Sequence, residues 1–478
     1  MTGTRASTGW SGRRITVAGL GVSGASAARA LAARGARVTV VDGGDGPDHR
    51  ERAEALRGER IDVTLGDGAT LPPGTDLVVT SPGWKPGSPL FAAAAAAGVE
   101  VVGDVEIAWR LRAEQGDTAA PWLAVTGTNG KTTTTRMLAA VLAAAGLRAA
   151  AVGNIGTPIV DVVLDGAAYD VLAVELSSYQ LHWAPSLRPH SAAVLNLAPD
   201  HLDWHGSMAA YAADKGRIYQ GNQGARVYNA ADPSTEKLAR AADTEADCRT
   251  VGFTLGAPVP GQLGVRDGAL VDRAFAAPDS AGEELAATAD VRPAAPHNIA
   301  NALAAAALAR AYGVPAGAVR DGLRAFTPDA HRMQHVADID GVAYVDDSKA
   351  TNTHAAEASL AAYDRVVWIA GGLAKGATFD DLVAEVAPRL RGVVLIGADR
   401  ALIREALARH APQVPVVDLD RTDTGAMTVA VHQAARLAEP GDTVLLAPAC
   451  ASMDMFTNYT VRGQVFAEVV RGLQALGA

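Results

Sequence analysis

Cysteine is almost missing from this chain of 478 residues, which has only Cys248 and Cys450. Two thiols so far apart make no disulfide framework, and their scarcity suits a reducing, cytoplasmic setting. Lysine is scarce too. Six of the 42 basic residues are lysines, at positions 85, 131, 215, 237, 349 and 375, and the other 36 are arginines. Where charge alone is wanted this sequence uses Arg, so a lysine marks a place where the amine itself can have a task; Lys237 reads as a plain surface residue. An excess of positive charge is also lacking. With 52 acidic residues the formal net charge is −10, which leaves no broad footprint for nucleic acid, so anionic ligands must be met by local positive sites. The N-terminal stretch MTGTRASTGWSGRR is polar and the apolar segment after it is broken by glycines, so neither a signal peptide nor membrane insertion is expected.

The remaining composition, 49% hydrophobic with 49 Gly and 24 Pro, fits compact units with many turns, and the length suggests about three domains. The most informative stretch is Pro121 to Thr135, PWLAVTGTNGKTTTT. An apolar run, Trp122 to Val125, empties into Gly127, Thr128, Asn129, Gly130, Lys131, Thr132 and Thr133, and Met137 to Ala145 has helical character. A strand, a glycine loop and a helix start turn backbone N–H groups toward phosphate oxygens. Lys131 would reach the β/γ-phosphates of ATP and Thr132 would offer its hydroxyl to Mg²⁺. The general pattern has a first Gly where this chain has Val125, so an ordinary Gly- and Thr-rich turn is the alternative.

Upstream, Arg14 to Leu20 reads as a strand that runs into a glycine loop containing Gly21, Val22, Ser23 and Gly24, then an Ala-rich helix, Ala25 to Arg34. The next strand ends at Asp42. This fingerprint nominally indicates NAD, but a UDP group satisfies the same physics of a diphosphate on bare backbone. Further strands, Leu77 to Thr80 and Glu100 to Val102, extend a parallel unit, with Ser81 at a strand end where open α/β sheets bind ligands. Gly116 to Ala120 reads as a domain boundary.

In the second unit, the strand Val171 to Val174 delivers Glu175, a carboxylate able to meet Mg²⁺. The strand Ala192 to Leu197 opens into Asp200-His201-Leu202-Asp203-Trp204-His205, whose spacing suits Mg²⁺ with one imidazole better than zinc. Lys215, in an amphipathic stretch from Tyr211 to Tyr219, reads by itself as a solvated helix lysine. Asn298 and Asn301 share a helix face, with N-capping by His297 or Asn298 as the plain alternative. The last third alternates strands and helices as a second doubly wound sheet. Its strand ends carry Asp346 to Asn352, Gly371 to Gly376 and Pro448 to Asp454, and the pair Lys349 and Lys375 suits a substrate with two carboxylates.

GTNGKTT, ELSSYQL, DHLDWH followed by Lys215, HNIAN, DDSKATN and PACASMD, in this order, resemble the Mur ligase family of peptidoglycan synthesis. The resemblance covers nearly the whole chain and resolves the missing first Gly, since that family's loop has the GTNGK[ST] form. It implies an α/β fold of three domains: a Rossmann-like UDP-binding domain over 1–118, a central P-loop ATPase domain over 119–329 and a Rossmann-like amino-acid-binding domain over 330–478. The activity implied is an ATP-dependent amide ligation through an acyl phosphate in cytoplasmic peptidoglycan precursor synthesis. The members most resembled add D-glutamate to UDP-N-acetylmuramoyl-L-alanine. Another Mur-type amino-acid ligase and, from a different class, an NAD-dependent oxidoreductase are the alternatives.

The resemblance also implies roles. Lys131, His201 and Lys215 are catalytic, Lys215 as a CO₂-derived carbamate. Thr132, Glu175, His201 and Lys215 serve two Mg²⁺ sites. Asn298 and Asn301 lie toward adenine, Arg332 and Asp346 toward ribose, and Asn154, Ser81, Asp42 and the Gly21–Gly24 loop hold the UDP substrate. D-glutamate falls to Lys349, Thr351, Lys375, Ser452 and Tyr459, with Tyr459 in place of an expected Phe and Ala447 in place of a Ser. A monomer is expected.

Overall fold

Short Val- and Ala-rich runs that end in glycine dominate the chain, and each becomes a buried parallel strand whose carboxyl end opens into a loop. The structure, a computed structural model, describes residues 9–165, 169–277, 280–421 and 423–477. The first sheet contains β1 (Arg14–Ala18), β2 (Arg37–Asp42), β3 (Asp62–Leu65), β4 (Leu77–Thr80) and β5 (Glu100–Gly103), in the order β3-β2-β1-β4-β5, all parallel. β1 stops two residues short of the predicted Leu20 because Gly19 takes φ +105°, which turns the chain out of the sheet. β3 is absent from the sequence reading because Val63 alone of its four residues is buried.

The second sheet has nine strands: β6 (Trp122–Thr126), β7 (Ala149–Gly153), β8 (Val171–Glu175), β9 (Ser191–Val194), β10 (Ala225–Asn229), β11 (Arg249–Phe253), β12 (Gln262–Arg266), β13 (Ala269–Asp272) and β14 (Glu283–Ala287). Their order is β14-β13-β12-β11-β10-β9-β6-β8-β7, with β12, β13 and β14 forming an antiparallel meander at one edge. These two sheets share one continuous apolar core, in which Trp109 meets Trp122 edge-on at 5.0 Å.

The third sheet comprises β15 (Gln334–Ile339), β16 (Val342–Asp346), β17 (Val366–Gly371), β18 (Leu390–Ile396), β19 (Val416–Asp418) and β20 (Thr443–Leu446), in the order β15-β16-β20-β17-β18-β19. β15 is an antiparallel edge strand that the sequence reading lacks. Packing divides the chain into two compact units, one reaching Ala294 and including Asn298–Phe326, the other comprising Ala295–His297 and the chain from Thr327 onward. Among the described residues, no helix is long and apolar enough to cross a membrane.

Candidate active site

The glycine loop after β6 is built by two backbone positions open only to glycine. Gly127 has φ +153° and Gly130 has φ +84°, and Gly130 stands at the N-terminus of the helix Lys131–Ala144. A Cβ at Gly130 would collide with Asn301 Oδ1, so the predicted Asn301 abuts the loop directly. The N-capping alternative for His297 and Asn298 does not hold, since the helix already begins at Pro296. Asn298 and Asn301 lie buried within it, Asn301 Nδ2 donating to Asn298 Oδ1 at 3.3 Å.

Side chains fix the loop from the flanks. Asn129 N donates to Asn196 Oδ1 at 2.8 Å, and Thr128 Oγ1 meets the Tyr211 hydroxyl at 3.0 Å. Lys131 Nζ curls back to the main-chain oxygens of Gly127 (3.0 Å) and Thr128 (2.8 Å). Thr132 and Thr133 form the first turn beside it.

Glu175 ends β8 and is 2% exposed. Its Oε1 accepts from Asn154 Nδ2 at 2.9 Å, while Oε2 is buried without a hydrogen-bond partner. A buried carboxylate oxygen in that state is costly unless something cationic meets it, and with the Thr132 hydroxyl this oxygen-donor chemistry fits Mg²⁺. Asn154 therefore has its amide nitrogen engaged by the carboxylate.

Lys215 overturns its plain reading as a solvated helix lysine. It lies on the helix Met208–Gly216 and is only 2% exposed. Its Nζ donates to Gly127 O at 2.8 Å and stands 4.7 Å from the centre of the Tyr211 ring. Burial first, and the Lys131 cation second, hold its amine well below the ordinary lysine value. His201 takes a left-handed conformation, φ +54°, and its ring packs on Tyr179 at 4.9 Å. Burial depresses the His201 imidazole, Asp200 opposes this, and Lys131 and Lys215 add to it. Among the described residues, no group of three or more His, Cys, Asp or Glu side chains converges to hold a metal.

At the carboxyl ends of the first sheet, Gly21 precedes the helix Val22–Ala32, which carries Ser23 and Gly24 in its first turn. Ser81 Oγ is buried without a partner. A Cβ at Gly24 would stand 3.0 Å from it, so this hydroxyl lies against the loop. Asp42 braces the loop: its Oδ2 accepts from Leu20 N at 2.7 Å and its Oδ1 from Gly44 N at 2.8 Å.

In the second unit, Asp346 is fully buried at the end of β16, its Oδ2 bonded to His331 Nδ1 at 2.6 Å. Arg332 lies 3.8 Å from Asp329. Lys349 Nζ stands 3.9 Å from the centre of the Tyr459 ring, and Ser348 Oγ donates to Tyr459 O at 2.8 Å. Thr351 N donates to Lys349 O at 2.8 Å, and an isolated bridge between Leu373 and Ala451 ties the loop bearing Lys375 to the one bearing Ser452.

Sequence reasoning missed several participants. Asp104, at the start of the helix Asp104–Arg112, is buried against the Ser23 and Gln180 side chains. Asp214 Oδ2 meets His182 Nδ1 at 2.9 Å and His205 Nδ1 at 3.0 Å, and His205 Nε2 reaches Ser178 Oγ at 2.9 Å, fixing the helix that carries Lys215. His205 belongs to the Asp200–His205 stretch already singled out in the sequence, but its partners His182 and Asp214 lie outside that stretch and carry no motif signal.

Three family models match the chain: the Mur ligase MurD-like N-terminal domain over residues 13–103, the Mur ligase middle domain over 125–309, and the Mur ligase glutamate ligase domain over 331–450. The chain is similar to the UDP-N-acetylmuramoylalanine–D-glutamate ligase of Streptomyces avermitilis, with 73% identity over 471 residues, 98% of this chain and 100% of the relative. Its similarity to the enzyme of the same name from Thermobifida fusca is 62% over 467 residues, covering 97% and 99% of the two chains. The solved MurF ligase from Thermotoga maritima in complex with ADP shares the fold, with a TM-score of 0.57 and 18% identity over 91% of this chain and 95% of that one.

Proposed function

We propose, from the premise that this chain belongs to the Mur ligase family, that it joins D-glutamate to UDP-N-acetylmuramoyl-L-alanine with conversion of ATP to ADP and phosphate, in cytoplasmic peptidoglycan precursor synthesis. The observation that carries the reading is the meeting of Lys131 and buried Lys215 on one side of the Gly127–Gly130 loop, next to a strand that presents Glu175. The terminal phosphoryl group of ATP passes to the L-alanyl carboxylate, giving an acyl phosphate. The D-glutamate amine attacks its carbonyl carbon, a C–N bond forms, and phosphate leaves with loss of the amine proton.

Each step brings anions together, so the protein's task is to neutralise and orient them. The backbone of Gly127 to Thr133 cradles the phosphates, and Lys131 exchanges its main-chain acceptors for phosphate oxygens. Thr132 and Glu175 hold one Mg²⁺ ion, which supplies positive charge to the transferring group. The depressed Lys215 amine suits addition of CO₂, and as a carbamate it would serve a second Mg²⁺ ion with His201. Asn298 and Asn301 lie on the adenine side of ATP, and Arg332 and Asp346 on the ribose side. Gly21 to Gly24, Ser81, Asp42 and Asn154 receive the UDP substrate, the orphaned Ser81 hydroxyl as a donor to the diphosphate. Lys349, Thr351, Lys375, Ser452 and Tyr459 receive D-glutamate.

The test is phosphate release from ATP with Mg²⁺ and UDP-N-acetylmuramoyl-L-alanine, adding D-glutamate, L-glutamate, meso-diaminopimelate or L-lysine in turn. Release that needs both the UDP substrate and D-glutamate is expected. Release with a different amino acid would overturn the specificity and keep the chemistry.

A further inference from the structure

The loop after β4, Ser81 to Ser88, carries an aromatic side chain that neither the core nor the reaction accounts for. Behind it, Leu90, Phe91 and Ala94 close a small core with Ala18, Val41 and Val78, and Trp84 only leans on that cluster while staying partly exposed. Its ring meets Phe91 at 5.8 Å between centres. A Cβ at Gly19, after β1, would stand 3.0 Å from Trp84 Nε1. One at Gly68, after β3, would stand 2.8 Å from Trp84 Cη2 and 3.1 Å from the backbone nitrogen of Gly43, which follows β2. Bare backbone at these strand ends is what lets the indole lie there.

The ring is also held in place. Trp204 Nε1 donates to the Trp84 carbonyl at 3.1 Å, and Lys85 Nζ reaches Asp203 Oδ2 at 3.0 Å. Exposed ion pairs contribute little to stability, but these two contacts tie the loop's backbone at the position of the ring. In a sheet of this topology a diphosphate sits at the N-terminus of the first helix, and the nucleoside extends over the end of β2 toward β3. That is the ground between Asp42, Gly43 and Gly68 on which the indole borders.

We propose that Trp84 is a wall of the base subsite, its indole packing against the pyrimidine ring of the UDP-bearing substrate. The inference rests on the UDP reading of the first domain. It makes Trp84 a binding residue for the nucleoside, while Ser81 on the same loop meets the diphosphate.

The test uses the full chain with UDP itself as the probe, followed by calorimetry, in wild type, Trp84→Phe and Trp84→Ala. Loss of base stacking on an aromatic ring is expected to weaken UDP binding about tenfold or more in W84A. W84F, which keeps an aromatic face, is expected within about threefold of wild type. In turnover W84A is expected to raise KM for the UDP substrate more than it lowers kcat, with KM for ATP unchanged. UDP should alter tryptophan emission in wild type more than in W84F, a readout that stands even if W84A does not fold. Equal UDP affinity in W84A and wild type, or an emission change equal in wild type and W84F, overturns the inference alone. Failure of wild type to bind UDP overturns the parent reading and this inference with it.

Discussion

Lys131 and Lys215 share one acceptor: both amines donate to the main-chain oxygen of Gly127, at 3.0 and 2.8 Å. Two ammonium ions cannot crowd one carbonyl without repulsion, and the buried partner is the one that yields its proton. Burial and the Lys131 cation together favour a neutral Lys215.

A neutral amine is the form that adds CO₂, so activity should depend on dissolved CO₂. Phosphate release by wild type is expected to fall in CO₂-depleted buffer and recover with bicarbonate. Lys215→Arg keeps a cation and has no amine to carbamylate; its rate should fall by about a hundredfold or more and show no bicarbonate response, given the size of typical electrostatic contributions. A ¹³C carbamate resonance after incubation with ¹³C-bicarbonate, present in wild type and absent in K215R, checks the cause. A bicarbonate-responsive K215R would defeat it.

Glu175 presents an opposite case, a carboxylate with one oxygen paired to Asn154 and the other unpaired in the interior. Glu175→Gln keeps the acceptor for Asn154 and removes the buried charge. The metal-free protein is therefore expected to gain stability, by about 1–3 kcal/mol, while Mg²⁺-dependent turnover collapses. Thermal unfolding with and without Mg²⁺ and ATP reads both effects. Loss of stability in E175Q without metal would show that the carboxylate is satisfied by the protein.

Asp104 gives a pH dependence with a definite sign. Burial pushes its carboxyl from 3.8 up to about 6, against the pull of the Val105 N–H and the Ser23 and Gln180 side chains. Between these two values the folded state binds more protons than the unfolded one, so stability falls as pH rises through this window. The full penalty, on the order of 3 kcal/mol, is present above the folded value and absent below the unfolded one. Asp104→Asn should abolish it: the variant gains on wild type from pH 4 to pH 7 in denaturant unfolding. A difference between the two that stays constant with pH would refute the assignment.

These residues also mark how far the sequence is legible. The phosphate loop is readable because its physics is local: Gly130 needs φ +84° at a helix start, and Lys131 follows it in the chain. Parallel strands buried at every position are readable as continuous apolar runs, as in β4 and β6, whereas the parallel strands β3, β7, β10 and β11, less evenly buried, escape the sequence reading. The antiparallel strands β12 and β14 and the edge strand β15 escape that signal because they are only partly covered. Lys215 is illegible by composition, since its burial is imposed by Gly127, 88 residues away, together with Tyr211 on its own helix. Asp104 looks like an ordinary acid in a helix's first turn, and its burial beside Ser23 and Gln180, far from it in the chain, leaves no local trace in the sequence. Trp84 likewise acquires meaning from Gly19 and Gly68, which no spacing rule connects to it.

Tyr459 stands where the family resemblance leads one to expect Phe, and its ring lies 3.9 Å from Lys349 Nζ. Burial pushes the phenol up, but the hydrogen bond and charge of Lys349 outweigh it and hold the hydroxyl below its ordinary value. The ring's attraction for the cation does not need the hydroxyl, so Tyr459→Phe should keep KM for D-glutamate within about threefold at neutral pH. Lys349→Ala, which removes the cation, should raise it far more. At alkaline pH the two aromatic forms should separate. As wild type passes through the lowered phenol value, a phenolate forms beside Lys349 and opposes a dicarboxylate substrate, so KM for D-glutamate climbs. In Y459F no such charge can form, and KM should stay flat to higher pH. Parallel pH profiles for the two proteins would mean that the hydroxyl does not face the bound amino acid.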